Sequence, residues 1–364
     1  MQIKEVIALL EQWAPRSYAE DFDNTGLLVG DSAKTVSGIL VSLDCLEAVV
    51  DEAVDKGCNL IVSFHPIIFK GLKKLTGADY VQRAVLKAIK NDIAIYAIHT
   101  ALDNNWEGVN HQILETLGAQ KSSVLIPKAG TLKKLITYAP QQESKALLDA
   151  LFTAGAGAIG QYSECAFTSE GEGSFKPGAD ANPALGSKGQ RHYEKETRIE
   201  VLVPQHCESR VVSALIKTHS YEEVAYDLIP ISNTNKQLGM GMIGSFENPL
   251  SEAEFLALLK SRMHCGGIRH SKLLGKPIEK IAVLGGSGAF GISAAKATGV
   301  DAYVSADFKY HDFFSAEEQL LLVDIGHYES EQYTKNLIVQ YLSKKITNFA
   351  VLLSEINTNP IFYL

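Results

Sequence analysis

Four residues of this 364-residue chain combine a side chain of a type that can bind divalent metals with a position shortly after an apolar run. They are His65, Asp103, His327 and Glu331. His327 and Glu331 are four residues apart, so they share one face if the segment is helical. Such a pair is also a common side-chain hydrogen bond, so the metal interpretation depends on the other two residues. Together, two imidazoles and two carboxylates form a mixed nitrogen and oxygen set suited to zinc, manganese or iron.

The elements around these residues predict an α/β layer with a ligand crevice. Apolar runs typical of buried strands lie at 39–43, 59–63, 93–98 and 320–323. Amphipathic helices alternate with them, which is typical of α/β proteins. In open α/β sheets the carboxyl ends of the strands line the ligand crevice. His65, Asp103 and His327 each follow one of these runs, so the pattern predicts that they line the same crevice.

Several polar residues near these runs have simpler interpretations. Asp23 and Asn24 are predicted to form a turn that leads into a strand at 27–29. Asp44 is predicted to cap a helix that begins at Leu46. Asp103 can equally belong to a plain turn, and a lone histidine such as His65 is often a half-buried hydrogen-bonding residue.

A glycine-rich turn, GGSGAFG, follows the apolar run at 281–284. Its backbone N–H groups are candidates to bind an anion at a strand-to-helix junction. The turn lacks the Gly-Lys-Ser/Thr ending of a P-loop and the spacing of a dinucleotide-binding motif. The alternative is a tight turn that lets a helix approach the sheet closely.

The chain is predicted to contain three segments. Residues 1–127 and 234–364 have the α/β character, whereas 128–233 has the order β-α-β-β-α-β of a ferredoxin-like module. Within that module, the glycine-rich stretch 168–196 predicts a hairpin with a long loop. The motif HSYEE at 219–223 has the residue types of a site, but a helix end that contacts a neighbouring subunit is the preferred interpretation.

Composition and charge exclude several classes of protein. The net charge is −8 and the isoelectric point is about 5.7, without a basic stripe, which disfavours nucleic-acid binding. The first residues are typical of an amphipathic helix rather than a signal peptide, and no apolar run reaches about 18 residues, so a membrane partner is not expected. The five cysteines show no metal-thiolate spacing and fit reduced thiols, so a cytoplasmic location is expected.

The same residues lie in stretches that resemble a known family. These stretches are AEDFDNTGLLVG (19–30), HPIIFKGL (65–72), IHTALDNNWEGVN (98–110), VLGGSGA (283–289), DAYVSADFKYHD (301–312) and DIGHYESEQ (324–332). In this combination the chain resembles the GTP cyclohydrolase I type 2-like proteins, also called the NGG-one-interacting-factor-three-like family. Its middle segment resembles the insertion of the longer bacterial members, which is similar in fold to PII and CutA proteins.

This resemblance implies a two-part α/β core around a dinuclear metal centre, in subunits that form a toroidal homohexamer. The implied ligands are His65, Asp103, His327 and Glu331. Two positions depart from the family pattern. Phe64 stands where the family usually has a first histidine, so a second metal is weak, differently held or absent. Asp307 ends a Ser-Ala-Asp sequence where Thr-Gly-Glu is usual.

We therefore expect one or two divalent ions per subunit, with zinc preferred over iron or manganese. The expected activity is metal-dependent hydrolysis of a nucleotide or a related phosphorylated small molecule, of which ring opening of GTP is the family example. His99, Asp307 and His311 are the candidate proton-transfer residues. The alternative, favoured by Phe64, is a non-enzymatic hexameric scaffold or regulatory protein that binds metal or nucleotide.

Overall fold

The computed structural model describes residues 1–364, which form two compact units. The first unit combines Met1–Pro127 with Gln237–Leu364, and the second is Lys128–Lys236. None of the helices is both long enough and apolar enough to cross a membrane.

The first part of the larger unit alternates helices and short buried strands. Its elements are α1 (Ile3–Trp13), β1 (Gly26–Val29), β2 (Ile39–Ser42), α2 (Glu47–Asp55), β3 (Leu60–Ser63), α3 (Tyr80–Lys90), β4 (Ala94–Ala97), α4 (His99–Asp103), α5 (Val109–Leu117) and β5 (Gln120–Pro127). All residues of β2, β3 and β4 are buried, as expected for the apolar runs of a sheet covered on both faces. Helix α2 ends as its sequence predicts, because Gly57 has a φ of +69° and donates its N–H to the carbonyl of Val54.

The smaller unit follows β5 along the chain. Its elements are β6 (Leu132–Pro140), α6 (Ser144–Thr153), β7 (Ala166–Phe175), β8 (His192–Pro204), α7 (Glu208–Thr218) and β9 (Tyr226–Pro230). The four strands form an antiparallel sheet in the order β7-β8-β6-β9. The stretch 168–196 is a hairpin with a long loop, as predicted: β7 and β8 are its strands and the loop is 176–191.

The chain then returns to the larger unit. Its elements are β10 (Gly239–Leu250), α8 (Glu252–Arg262), β11 (Arg269–His270), β12 (Ile278–Ser287), α9 (Ile292–Ala297), β13 (Ala302–Ala306), β14 (Leu321–Asp324), α10 (His327–Glu331), α11 (Thr334–Lys345) and β15 (Val351–Leu353). Ser251 caps α8 and forms the predicted capping box with Glu254.

Two sheets organise the larger unit. One has five strands in the order β1-β4-β3-β2-β15, and the other has six in the order β11-β14-β13-β12-β10-β5. The last strand, β15, returns to the first sheet and pairs in parallel with β2. The largest buried core cluster takes residues from both sheets, including Val62 of β3 and Val323 of β14. This packing fixes the two sheets relative to each other, and with them the side chains that follow their strands.

Candidate metal centre

Strand register places the site residues. Strands β2, β3 and β4 are parallel neighbours whose last residues pair with one another. Asp44, His65 and His99 each stand two residues beyond those paired positions, so they lie side by side at one edge of the sheet. In the other sheet, Asp307 and His327 follow the paired ends of β13 and β14. The crevice predicted at the strand ends is therefore built from both sheets.

Three side chains converge at its centre. Nε2 of His65 lies 3.0 Å from Oε2 of Glu331, and Nε2 of His327 lies 3.2 Å from the same oxygen. The three potential ligand atoms all lie within 4.8 Å of one another. The Glu331 side chain is only 3% exposed, yet its Oε2 accepts no hydrogen bond of good geometry. A buried carboxylate is costly unless positive charge lies beside it, and either the two imidazoles in protonated form or a bound cation can supply that charge.

Both imidazoles are oriented by a carboxylate on their other nitrogen. Nδ1 of His65 is 2.8 Å from Oδ1 of Asp44, and Nδ1 of His327 is 2.7 Å from Oδ2 of Asp307. A carboxylate on Nδ1 keeps the proton there and leaves the lone pair of Nε2 for a metal. Asp44 does not cap α2 as predicted, because the N-cap is Leu46 and it makes no side-chain cap bond. Asp44 instead orients the imidazole of His65.

The protonation of the cluster shows how strongly these charges interact. Burial alone would lower the pKa of His65, but the carboxylates of Glu331 and Asp44 outweigh it and raise this pKa to about 10. Burial is likewise outweighed at His327, where Asp307 and Glu331 raise the pKa to about 11. The two imidazoles in turn hold the pKa of Glu331 far below its usual range, against the effect of burial. Without a metal, two protons therefore hold the cluster together, and a metal ion that binds there must displace them.

Asp103 lies beside this cluster on the short helix α4, in the wall of the same cavity. It is 6% exposed, and its Oδ1 is a second buried carboxylate oxygen without a hydrogen-bond donor. Burial, and then the negative charge of Glu331, raise the pKa of Asp103 well above its ordinary value. Its carbonyl accepts a hydrogen bond from Asn110, whose other amide atom accepts the N–H of Gly285. Asn110 thus joins the two sheets behind the site.

His99 begins α4 and also lines the cavity. Its Nδ1 is 2.8 Å from Oδ1 of Asp23, and the N–H of Thr100 donates to the other oxygen of that carboxylate at 3.1 Å. Asp23 accepts the N–H of Asn24, in agreement with the predicted turn, and its side chain also orients a cavity histidine. The φ of His99 is +28°, an unfavourable value for a residue with a side chain. Such backbone strain is concentrated at functional sites.

The glycine-rich turn packs against the cluster. The N–H groups of Gly285, Gly286 and Gly288 all donate to protein acceptors, so these three are not free to bind an anion. Gly286 has a φ of +68°, and a Cβ there would lie 2.5 Å from Oε1 of Glu331. The structure therefore favours the tight-turn interpretation over the anion-binding one for these amides.

The cluster opens into a cavity of about 520 Å³ whose rim is aromatic. Phe22, Phe69 and Phe290 line it and are 66%, 46% and 60% exposed. None of the residues that line the cavity is Lys or Arg. A second cavity of about 800 Å³ shares His65 and Phe69 with the first and adds Lys70. The site therefore has flat apolar surfaces near the cluster, whereas the basic side chain of Lys70 lies in the adjoining second cavity.

Two of the residues discussed from the sequence lie apart from the cluster. His311 is exposed, packs against the rings of Tyr310 and Phe314, and is not among the residues that line the cavity. Phe64 is fully buried in the core, with its ring centroid 4.9 Å from that of His65. Its side chain supplies packing where a histidine would supply a ligand atom.

The last residues of the chain also contribute to the site, although no sequence motif indicates this. Asn359, Pro360 and Ile361 line the cavity. The hydroxyl of Thr358 donates to Oδ2 of Asp44 at 2.5 Å. The pairing of β15 with β2 brings this segment back to the strand ends, and it joins residues some 310 positions apart.

Comparisons with known proteins agree with this architecture. A protein of Bacillus subtilis named GTP cyclohydrolase 1 type 2 homolog is 39% identical over 374 residues, covering 99% of this chain and 98% of its own length. The crystal structure of a Bacillus cereus protein related to NIF3 is 36% identical and superposes with a TM-score of 0.87, covering 100% of this chain and 99% of that one. Reduced HcgD from Methanocaldococcus jannaschii, at 20% identity and a TM-score of 0.59 over 98% of both chains, shares the fold.

The profile of one protein family spans almost the whole chain, from residue 1 to residue 360. Its match agrees with the full-length relatives and with the resemblance carried by the sequence motifs. The chain is a member of the Duf34/NIF3 (NGG1p interacting factor 3) family.

Proposed function

We propose that this protein binds a divalent metal ion, most suitably zinc, through His65, His327 and Glu331, and uses it for hydrolysis. The observation that carries the proposal is the convergence of two imidazole Nε2 atoms on one oxygen of a buried carboxylate. Two histidines and one glutamate form a common ligand set of catalytic zinc sites, which keep a further position open for water or substrate. Asp103, with its own unpartnered oxygen, is the fourth ligand proposed.

We propose one tightly held ion per chain. The structure contains one cluster of three converging ligands, and Asp103 is not part of it at the same spacing. Phe64, which stands where the family usually has the first of two adjacent histidines, is apolar and fully buried. Iron and manganese share the same donor preferences and remain the other candidate metals.

A divalent ion in this cluster lowers the pKa of a bound water and supplies hydroxide near neutral pH. The protein's part is to hold the ligands and to move protons. Asp44 and Asp307 fix the rings of His65 and His327, as described above. His99, oriented by Asp23 and without a protein partner on its Nε2, is positioned to take or give a proton in the cavity.

The cavity favours a substrate with a flat ring, consistent with a nucleotide or a related phosphorylated small molecule. Phe22, Phe69 and Phe290 offer faces against which a base can stack. Phosphates gain no cationic side chain in this cavity, so we place them toward Lys70 in the neighbouring one. The name of the Bacillus subtilis relative makes GTP the first compound to test.

The test uses protein stripped of metal and reloaded with zinc. Turnover of GTP should require the metal and should be lost in Asp103→Ala and His327→Ala. His99→Asn should keep its zinc but lose about 10²- to 10⁴-fold in rate, the usual contribution of a proton-transfer residue. Turnover that persists without metal, or in His327→Ala, would contradict the proposal.

The second candidate function is a scaffold or regulator that binds metal or nucleotide without turnover. The buried Phe64 favours it, because it removes a potential ligand from a two-metal site. Tight zinc binding and nucleotide binding with no hydrolysis of any nucleoside triphosphate would select this alternative.

We further propose that 128–233 is an inserted ferredoxin-like domain and that the protein forms a cytoplasmic homohexamer. The four-stranded antiparallel order β7-β8-β6-β9, with α6 and α7 as its two helices, supports the first point. Resemblance to the family supports the second. Light scattering on the purified protein measures the assembly directly, and a monomer at micromolar concentration would contradict it.

A further inference from the structure

The smaller unit contains a cavity of its own, about 570 Å³ in volume, which the proposed hydrolysis does not use. It lies between the end of β7, the loop 176–191 and the HSYEE motif after α7. Phe175, Glu196 and Tyr221 are prominent in its lining. The motif that the sequence left without a role therefore faces a cavity.

A chain of hydrogen bonds builds one wall of this cavity. Nε2 of His219 donates to the carbonyl of Tyr138 at 2.8 Å, and Nδ1 accepts the N–H of Tyr221 at 3.0 Å. Because Nδ1 accepts a backbone N–H, the imidazole is neutral with its proton on Nε2. The Tyr221 hydroxyl then donates to Oε1 of Glu196 at 2.9 Å. His219 and Glu196 are each only 8% exposed, so the chain holds a buried carboxylate in a fixed position.

The second oxygen of this carboxylate is left without a partner. Oε2 of Glu196 accepts no hydrogen bond and makes no ion pair within the protein. Glycine is required at position 173 for this oxygen to fit, because a Cβ at Gly173 would lie 2.1 Å from it. Glu196 lines the cavity, so this oxygen is available to a cation or a hydrogen-bond donor that enters it.

The other charged residues that line this cavity are mostly acidic. Glu222 and Glu223 also line the cavity, against a single cation, Lys176. Burial, and then the carboxylates of Glu196, Glu194 and Glu143, raise the pKa of the Tyr221 hydroxyl, which reflects this negative field. The ring of Phe175 lies 5.7 Å from that of Tyr221, so two aromatic rings line the cavity together with Glu196.

We propose that this cavity binds a small organic cation, with a primary ammonium or guanidinium group at Oε2 of Glu196 and its apolar stem against Phe175 and Tyr221. Charge-assisted hydrogen bonds to a carboxylate and cation–π contacts with aromatic faces both favour such a ligand. A metal ion fits less well, because aromatic rings supply no ligand atoms and no three-ligand cluster is found here.

Calorimetric titration of the full-length protein with agmatine tests this site. Agmatine carries a guanidinium and an ammonium group on a four-carbon stem, and glutarate, of similar size and opposite charge, serves as the control compound. Agmatine should bind and glutarate should not. Glu196→Gln should weaken agmatine binding at least tenfold, because it keeps the side-chain shape but removes the charge. Removal of metal from the other unit should leave the affinity unchanged.

Glu170→Gln is the matched control, since Glu170 is an exposed carboxylate on the same hairpin outside the cavity. Its affinity for agmatine should equal that of the wild type. Phe175→Leu gives an independent readout if Glu196→Gln does not fold, and it should weaken binding severalfold through loss of the ring. Equal affinity in Glu196→Gln and the wild type, an equal loss in Glu170→Gln, or no binding of agmatine at millimolar concentration would each overturn the proposal.

Discussion

Asp44 offers the most direct test of the candidate metal centre, because it touches a ligand but is not one. Its Oδ1 is 2.8 Å from Nδ1 of His65. Replacement by Asn keeps an oxygen that can accept this hydrogen bond but removes the negative charge. Charge-assisted hydrogen bonds are about twice as strong as neutral ones, so the ring of His65 is held less firmly and becomes a weaker ligand. Loss of such a partner usually lowers metal affinity by about 10- to 100-fold, or about 1.4–2.8 kcal/mol.

The assay is competition for zinc between the protein and a chelator at one fixed pH. The pH must be fixed because zinc displaces the protons held by His65 and His327, so the apparent affinity changes with pH. Asp44→Asn should bind zinc at least tenfold more weakly than the wild type. Asp44→Ala, which removes the acceptor as well, should approach the hundredfold limit.

Asp44 has a second role that the experiment must separate from the first. Its Oδ2 accepts the hydroxyl of Thr358, which anchors the last residues of the chain beside the cavity. Thr358→Val removes that hydrogen bond and leaves the carboxylate on His65, so its zinc affinity should stay within about threefold of the wild type. The reasoning is refuted if Asp44→Asn binds zinc as tightly as the wild type, or if Thr358→Val loses as much affinity as Asp44→Asn.

Three further predictions follow from the same structure. His327→Ala should lower zinc affinity more than a hundredfold, because it removes one of the three converging side chains. Chelator competition measures this, and an affinity within threefold of the wild type would exclude His327 as a ligand. Phe64→His should raise the zinc content from one ion per chain toward two while lowering stability by about 2 kcal/mol, whereas Phe64→Leu should stay at one, as measured by elemental analysis and thermal unfolding. Burial would raise the pKa of Glu52, but hydrogen bonds from the Glu355 N–H, from Lys56 and from the Ser354 hydroxyl outweigh it and lower this pKa below 4.5. A carboxyl group whose pKa is lowered by folding stabilises the folded state at pH values above its pKa in the unfolded chain. Glu52→Gln should therefore lower the free energy of unfolding by about 1–2 kcal/mol at pH 7. This difference from the wild type should shrink as the pH falls through the lowered pKa.

Much of the candidate site could be located from the sequence because its residues follow apolar runs. Those runs are real strands, and parallel strands that end in register place the next residues side by side. The helical spacing of His327 and Glu331 was sufficient to predict their shared face, and α10 spans these two residues. Local signals of this kind need no knowledge of the rest of the fold.

The carboxylates that orient the histidines could not be assigned from the sequence. Asp44 and Asp23 each have a local explanation, as a helix cap and as a turn residue, and such explanations usually suffice. Their contacts with His65 and His99 depend on which strands are neighbours and on the pairing register, neither of which is a local property. For His311 the sequence motif predicts a proton-transfer role but not its position, because it says nothing about which way a short helical turn directs the side chain, and His311 does not line the cavity.

Three histidines of the cavity are oriented by the same kind of contact, a carboxylate on Nδ1, and they differ in what faces Nε2. His65, His327 and His99 each bond a carboxylate through Nδ1, at 2.7–2.8 Å. For His65 and His327, Nε2 meets the buried oxygen of Glu331, so these two rings are fixed as a pair around one position. For His99, Nε2 has no protein partner and the ring borders the cavity. The same orienting contact therefore leaves two rings facing one carboxylate oxygen, as the proposed metal site requires, and one ring facing the cavity, as the proposed proton transfer requires.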